Sequence, residues 1–116
     1  MEQFIEGVWD WGFLRNHLGG SIQVSDLDGI VERHGKFLVL EAKRPGISIP
    51  VGQRLMFEAM ANTGIFTVII IWGETNAPVR MEVWDMQGKL LVNPATIESI
   101  QEEVQRWYIA ACQQTL

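Results

Sequence analysis

The chain has 116 residues, 47% of them apolar and 20% charged, which fits one globular domain with a buried core and excludes a disordered chain or two linked domains. Nine Lys and Arg against 14 Asp and Glu give a formal net charge of -5, which argues against a uniformly basic nucleic-acid grip. The longest apolar stretch, Ile65 to Trp72, is interrupted by Thr67 and falls far short of the roughly 20 residues of a spanning helix, so no membrane partner is expected.

In chain order, residues 1 to 18 set Phe4, Ile5, Val8, Trp9 and Trp11 against Glu2, Glu6 and Asp10 at every fourth position. This predicts an amphipathic helix that ends at Gly19 and Gly20. From Ser21 to Ala42 β-branched and aliphatic residues dominate, and the runs Gly29 to Val31 and Phe37 to Leu40 around His34 and Gly35 predict a β-hairpin. Arg44 to Gly52 carries Pro45, Gly46, Pro50 and Gly52 and is a loop. A helix starts near Gln53, with Leu55, Met56, Ala59 and Met60 on its apolar face, and Asn62 and Gly64 stop it. Phe66 to Trp72 is apolar on both faces, as suits a central strand covered by helices on either side. Arg80 to Trp84 and Lys89 to Val92 form a second hairpin around Met86, Gln87 and Gly88. Asn93 and Pro94 then serve as cap and first-turn residue of a last helix with the stripe Ile97, Ile100, Val104, Trp107 and Ala111.

The lone Cys112 forms no internal disulfide, no Cys/His set has zinc spacing, and no basic-then-apolar leader opens the sequence, so a reducing, cytoplasmic setting is expected. Of the five tryptophans most are core residues, but Trp9 and Trp11 lie two apart, so on a helix one of them meets a partner subunit or a DNA strand.

The chemistry lies between Ser25 and Lys43. A hairpin turning about His34 and Gly35 sets Arg33 opposite Lys36, and the same register puts Asp28 opposite Glu41 and Asp26 opposite Lys43. Opposite residues share a face of the sheet, with Cβ atoms about 5 Å apart, so these four side chains converge. Like charges directly opposite destabilise a sheet unless a cation lies between them. Asp28, Glu41 and the backbone carbonyl of Ala42 offer hard oxygen ligands for Mg2+ or Mn2+, with positions left for water and a substrate phosphate. Lys43 is then placed to orient water or to stabilise developing negative charge.

These residues resemble the PD-(D/E)XK nuclease superfamily, in which an Asp at a strand start is followed by Glu-x-Lys on the next strand, here Asp28 and Glu41-Ala42-Lys43. Gln53 and Phe57 look like the Gln-x-x-x-Tyr element of the RecB-like and VRR-NUC-like branches, with Phe57 in place of Tyr. The resemblance covers roughly residues 1 to 72 and implies an α/β (α+β) single domain over 1–116. Its restriction-endonuclease-like αβββαβ core would hold a central mixed sheet flanked by helices, followed by a C-terminal hairpin and helix. It also implies a Mg2+- or Mn2+-dependent deoxyribonuclease acting on DNA, with Gln53 positioning Lys43 or the substrate backbone. Ser25-Asp26 replaces the family's Pro-Asp pair, so either Asp26 or Asp28 is the main ligand; register favours Asp28. Some members add an acidic residue of the first helix, a place open to Glu6 or Glu2. A chain this near the minimal core is expected to work as a homodimer presenting two sites, as junction resolution or duplex cutting requires, and suits a phage or mobile element.

Plainer roles stand beside these. Asp28, Glu41 and Lys43 as a solvated ion-paired face would contribute only ~0 to 1 kcal/mol and do not require this grouping. Asp26 also fits a turn or cap, Gln53 a first polar helix residue, and Arg44 and Arg54 either phosphate contacts or ordinary surface arginines. A catalytically silent nucleic-acid-binding module on the same fold and a metal-binding regulatory protein on an unrelated α+β fold are the rival readings. The stretch from Arg33 to Arg54 holds five basic residues and one acidic one, a local balance of +4 against -9 elsewhere, so the acidity is segregated from the motif.

Overall fold

The computed structural model describes residues 7–113. Strands β1 (Gly29–Arg33) and β2 (Lys36–Lys43) pair antiparallel in the expected register, Arg33 facing Lys36 and Gly29 facing Leu40. The turn needs two left-handed residues, supplied by His34 (φ 53°) and Gly35 (φ 80°), and the Glu32 carboxylate accepts the Gly35 N–H at 2.9 Å.

The proline- and glycine-rich loop leads into helix α1 (Val51–Asn62), which begins two residues before Gln53 with Pro50 at its N-cap. At the other end Thr63 donates its hydroxyl to the Met60 carbonyl, and Gly64 takes φ 80° to turn the chain back. Strand β3 (Phe66–Glu74) then lies parallel to β2, from Phe37 opposite Phe66 to Lys43 opposite Trp72. Strands β4 (Ala77–Asp85) and β5 (Gly88–Val92) continue as an antiparallel meander, giving one mixed sheet of order β1-β2-β3-β4-β5. The register shifts between Trp72 and Gly73, where a Cβ on Gly73 would sit 2.4 Å from the Ala77 carbonyl, so only glycine fits.

Helix α2 (Ile97–Cys112) closes the fold. Its cap is Thr96 rather than Asn93: Thr96 and Ser99 exchange side-chain and backbone bonds at 2.7 and 3.0 Å, satisfying two end donors at once. Asn93 and Pro94 lie ahead of the helix, joined by a cis peptide bond.

Each face of the sheet has its own core. Val39, Val68, Ile70, Trp72 and Trp84 pack under Phe57 and Ala61 of α1. Leu38, Ile69, Met81, Val83 and Ala95 pack with Ile100, Val104 and Trp107 of α2. The architecture is therefore α+β, a mixed sheet flanked by helices with a C-terminal hairpin and helix, and two strands precede the connecting helix.

Residues 1–6 of the expected N-terminal α-helix lie outside the described residues, and from residue 7 on the segment departs from it. It forms a 3-10 helix, Trp11–His17, capped by the Asp10 carboxylate on the Gly12 N–H, and none of its residues is buried. Trp9, Trp11 and Phe13 recur every two residues, a spacing that gives no helical stripe toward a core. They pack on one another instead, Trp9 on Trp11 at 5.5 Å and Trp11 on Phe13 at 5.9 Å.

Candidate active site

Alternation along β2 sends Val39, Glu41 and Lys43 to the α1 side of the sheet. Phe57, fully buried and edge-on to Trp84 at 6.3 Å, anchors α1 on that side. One turn earlier on the same helix face comes Gln53, so the anchor sets its amide over Glu41. Gln53 Nε2 donates to Glu41 Oε2 at 2.8 Å, and Lys43 Nζ stands 3.3 Å from the same oxygen. Glu41 is only 6% exposed, and both its Oε1 and Gln53 Oε1 are buried with no hydrogen-bond partner. A carboxylate oxygen left this way costs at least about 1–3 kcal/mol, which an apolar residue at position 41 would not incur.

Asp28 stands just before β1, exposed, and its Oδ2 accepts the Ala42 N–H at 2.8 Å. The N–H and C=O of one strand residue point toward the same neighbouring strand, so the Ala42 carbonyl also lies on the Asp28 side. Asp28 thus reaches the residue next to Glu41, although the ladder itself ends one residue earlier, at Gly29 opposite Leu40. Asp26 does not join them: it precedes the paired region and lines the surface groove around Trp9, Trp11 and Val24. Glu2 and Glu6 lie outside the described residues. Among the described residues no three of His, Cys, Asp and Glu form a metal-holding group, so the acidic set is a pair. A pair suits Mg2+, which is commonly held by one or two carboxylates with water and phosphate oxygens completing the shell, and the orphaned Glu41 oxygen fits such a ligand.

Arg44 is exposed on the loop after Lys43. Arg54 is turned to Glu58 at 3.3 Å, and Lys89 reaches that carboxylate at 2.7 Å while covering the Trp84 ring. The hydrogen bond from Lys89 holds the Glu58 carboxyl below its ordinary value, with smaller help from Arg54.

Sequence reasoning missed the other half of the surface. Lys43, Trp72 and Arg80 are register partners across β2, β3 and β4, a row beside the Glu41 cluster. The Arg80 guanidinium lies over the Trp72 ring at 4.7 Å, and Trp72 Nε1 donates to the Ile47 carbonyl at 2.6 Å, pinning the loop after Lys43. Glu82 accepts from Trp84 Nε1 at 2.9 Å and pairs with Arg80 at 2.5 Å. The signal was present in the alternation Arg80, Glu82, Trp84, which puts charge and indole on one strand face, but reading it required the β3–β4 register.

Comparison of the chain with family models, with curated proteins and with solved structures gives no match.

Proposed function

We propose that this domain is a metal-dependent DNA nuclease. The observation that carries the reading is Glu41: a carboxylate buried under α1, fixed by Gln53 and Lys43 on one oxygen and unpartnered on the other, with Asp28 bonded to the backbone of the next residue, Ala42. Asp28, Glu41 and the Ala42 carbonyl would hold Mg2+ or Mn2+. When bound, the ion supplies charge neutralisation at the phosphate and a lowered pKa for the attacking water. Lys43 presents its ammonium to the phosphate oxygens as negative charge develops, and Gln53 keeps the Glu41 carboxylate oriented. DNA as the substrate follows from the resemblance of Asp28, Glu41-Ala42-Lys43 and Gln53 to the PD-(D/E)XK pattern.

The working unit is a homodimer. Trp9 (65% exposed), Phe13 and Ile22 form an apolar segment lying off the sheet and its helices, surface a second protomer would cover. Light scattering that finds a strict monomer with full activity overturns this part.

The test is a cleavage panel with Mg2+ or Mn2+ on duplex, single-stranded and branched DNA. The wild type cuts at least one of them and the Lys43→Ala variant does not; cutting that persists in the variant removes Lys43 from the chemistry. The Asp28 bond to the Ala42 N–H favours one alternative, a silent DNA-binding module in which this carboxylate is structural. Binding without cleavage at any metal concentration selects it.

A further inference from the structure

The row Lys43–Trp72–Arg80 extends from the Glu41 cluster across the sheet toward β4. Neighbouring strands are separated by about 4.8 Å, so Arg80 is based about 10 Å from Lys43, far enough for the two cations to reach different phosphates of one strand. Lys43 is 14% exposed at its side chain and occupied by Glu41, whereas Arg80 is 44% exposed.

Arg80 is held as a ligand-binding arginine would be. Its guanidinium carbon lies over the buried Trp72 ring, and Glu82, itself fixed by Trp84 Nε1, accepts from Nη2. A guanidinium has five N–H donors in a rigid fork, so donors remain beyond those that Glu82 engages. Stability gives little reason for the arrangement, since an exposed pair contributes only ~0 to 1 kcal/mol. We propose that Arg80, carried on Trp72, is a second phosphate contact that seats the DNA strand alongside Lys43, and that Glu82 both orients it and competes with the phosphate for it. The assignment rests on the nucleic-acid part of the reading above and not on turnover.

Competition gives opposite signs to neighbouring substitutions, which a purely structural role does not. The experiment is fluorescence anisotropy of a labelled DNA duplex titrated with the full chain over a range of salt, with Ca2+ replacing Mg2+ so that binding is read. Arg80→Gln should weaken binding roughly 10-fold and lower the slope of log affinity against log salt by about one. Arg80→Lys keeps the charge and the slope but loses the fork, so its affinity falls between the two. Glu82→Gln releases Arg80 and should tighten binding by up to about 5-fold. A slope unchanged in Arg80→Gln, or weaker binding in Glu82→Gln, overturns the assignment while leaving the nuclease reading intact. A wild type that binds the duplex but never cuts DNA overturns the nuclease reading and leaves Arg80 standing; one that binds no DNA overturns both.

Discussion

The two faces of the sheet are built from alternate residues of the same strands, yet they differ in kind. Under α2 the buried residues, Leu38, Ile69, Met81, Val83 and Ala95, are all apolar. Under α1 the apolar cluster gives way, at the end of β2, to Glu41, Lys43 and Gln53, with Arg80 and Glu82 beyond. Both faces cover the same central strand, so the fold does not require the polar group; a chain selected only for stability would fill position 41 with an apolar side chain. The α2 face holds only what packing needs, whereas the α1 face ends in a polar group that packing does not call for.

Substitutions on the two faces should therefore separate activity from stability. The largest effect is expected from Glu41→Gln, which keeps the volume and a partner for Gln53: cleavage is abolished while stability in urea falls by no more than about 2 kcal/mol, since relief of the buried carboxylate charge offsets the lost pairing with Lys43. A loss of more than about 2 kcal/mol in that variant would instead make Glu41 a structural residue and break the contrast. On the α2 face, Leu38→Ala should cost about 2–5 kcal/mol through lost burial and a cavity, with metal affinity per folded molecule unchanged. Gln53→Ala should weaken Mn2+ binding, measured by calorimetry, about 10- to 100-fold, the usual effect of removing a group that orients a ligand. The smallest effect is at Glu58, on the flank of α1 that faces Lys89 of β5. Its folded pKa is depressed by Lys89, so its contribution is present above the ordinary value of 4.5 and fades as pH falls through the lower folded value. Glu58→Gln should flatten the acid limb of the stability curve and leave cleavage untouched; reduced cleavage would mean that the Arg54–Glu58–Lys89 group belongs to the site.

Period and breakers were enough to locate the sheet. Doubly apolar Phe66 to Trp72, the Gly- and Pro-marked turns and the stripe from Ile97 to Ala111 all correspond to observed elements, because each depends on local alternation or helical spacing. The approach of Asp28 to the end of β2 was legible for a related reason: a two-residue turn at His34 and Gly35 fixes the hairpin register, and Asp28, one residue beyond the last pair, still reaches the Ala42 N–H. Asp26 departs from that register because strand pairing ends at Gly29 and, two residues beyond Asp28, the chain has turned toward the groove around Trp9, Trp11 and Val24. Over its described residues the N-terminal α-helix failed because exposed aromatic residues imitate one face of an amphipathic pattern, while period alone does not say whether anything lies opposite. Cap choice also eluded pattern reading: Asn93-Pro94 is a sound helix start in isolation, but the reciprocal Thr96–Ser99 bonds offer a better one three residues on. The Trp72–Arg80 row was invisible for a different reason, since it joins residues of two strands whose relative offset is altered by the bulge at Gly73.

The parallel pairing of β2 with β3 has a consequence for how the molecule assembles. The β1–β2 hairpin and the β3–β4–β5 meander each close through short turns, whereas β2 meets β3 only after α1 has formed the crossover between them. Asp28, Glu41 and Lys43 belong to the first unit, Trp72 and Arg80 to the second, and Gln53 to the connector. Non-local pairing carries the loop-closure entropy and is the slow part of such topologies. A folding intermediate holding both local units would thus contain every residue of the candidate site except Gln53, yet leave its two halves apart, and the site would form only with the last cooperative step.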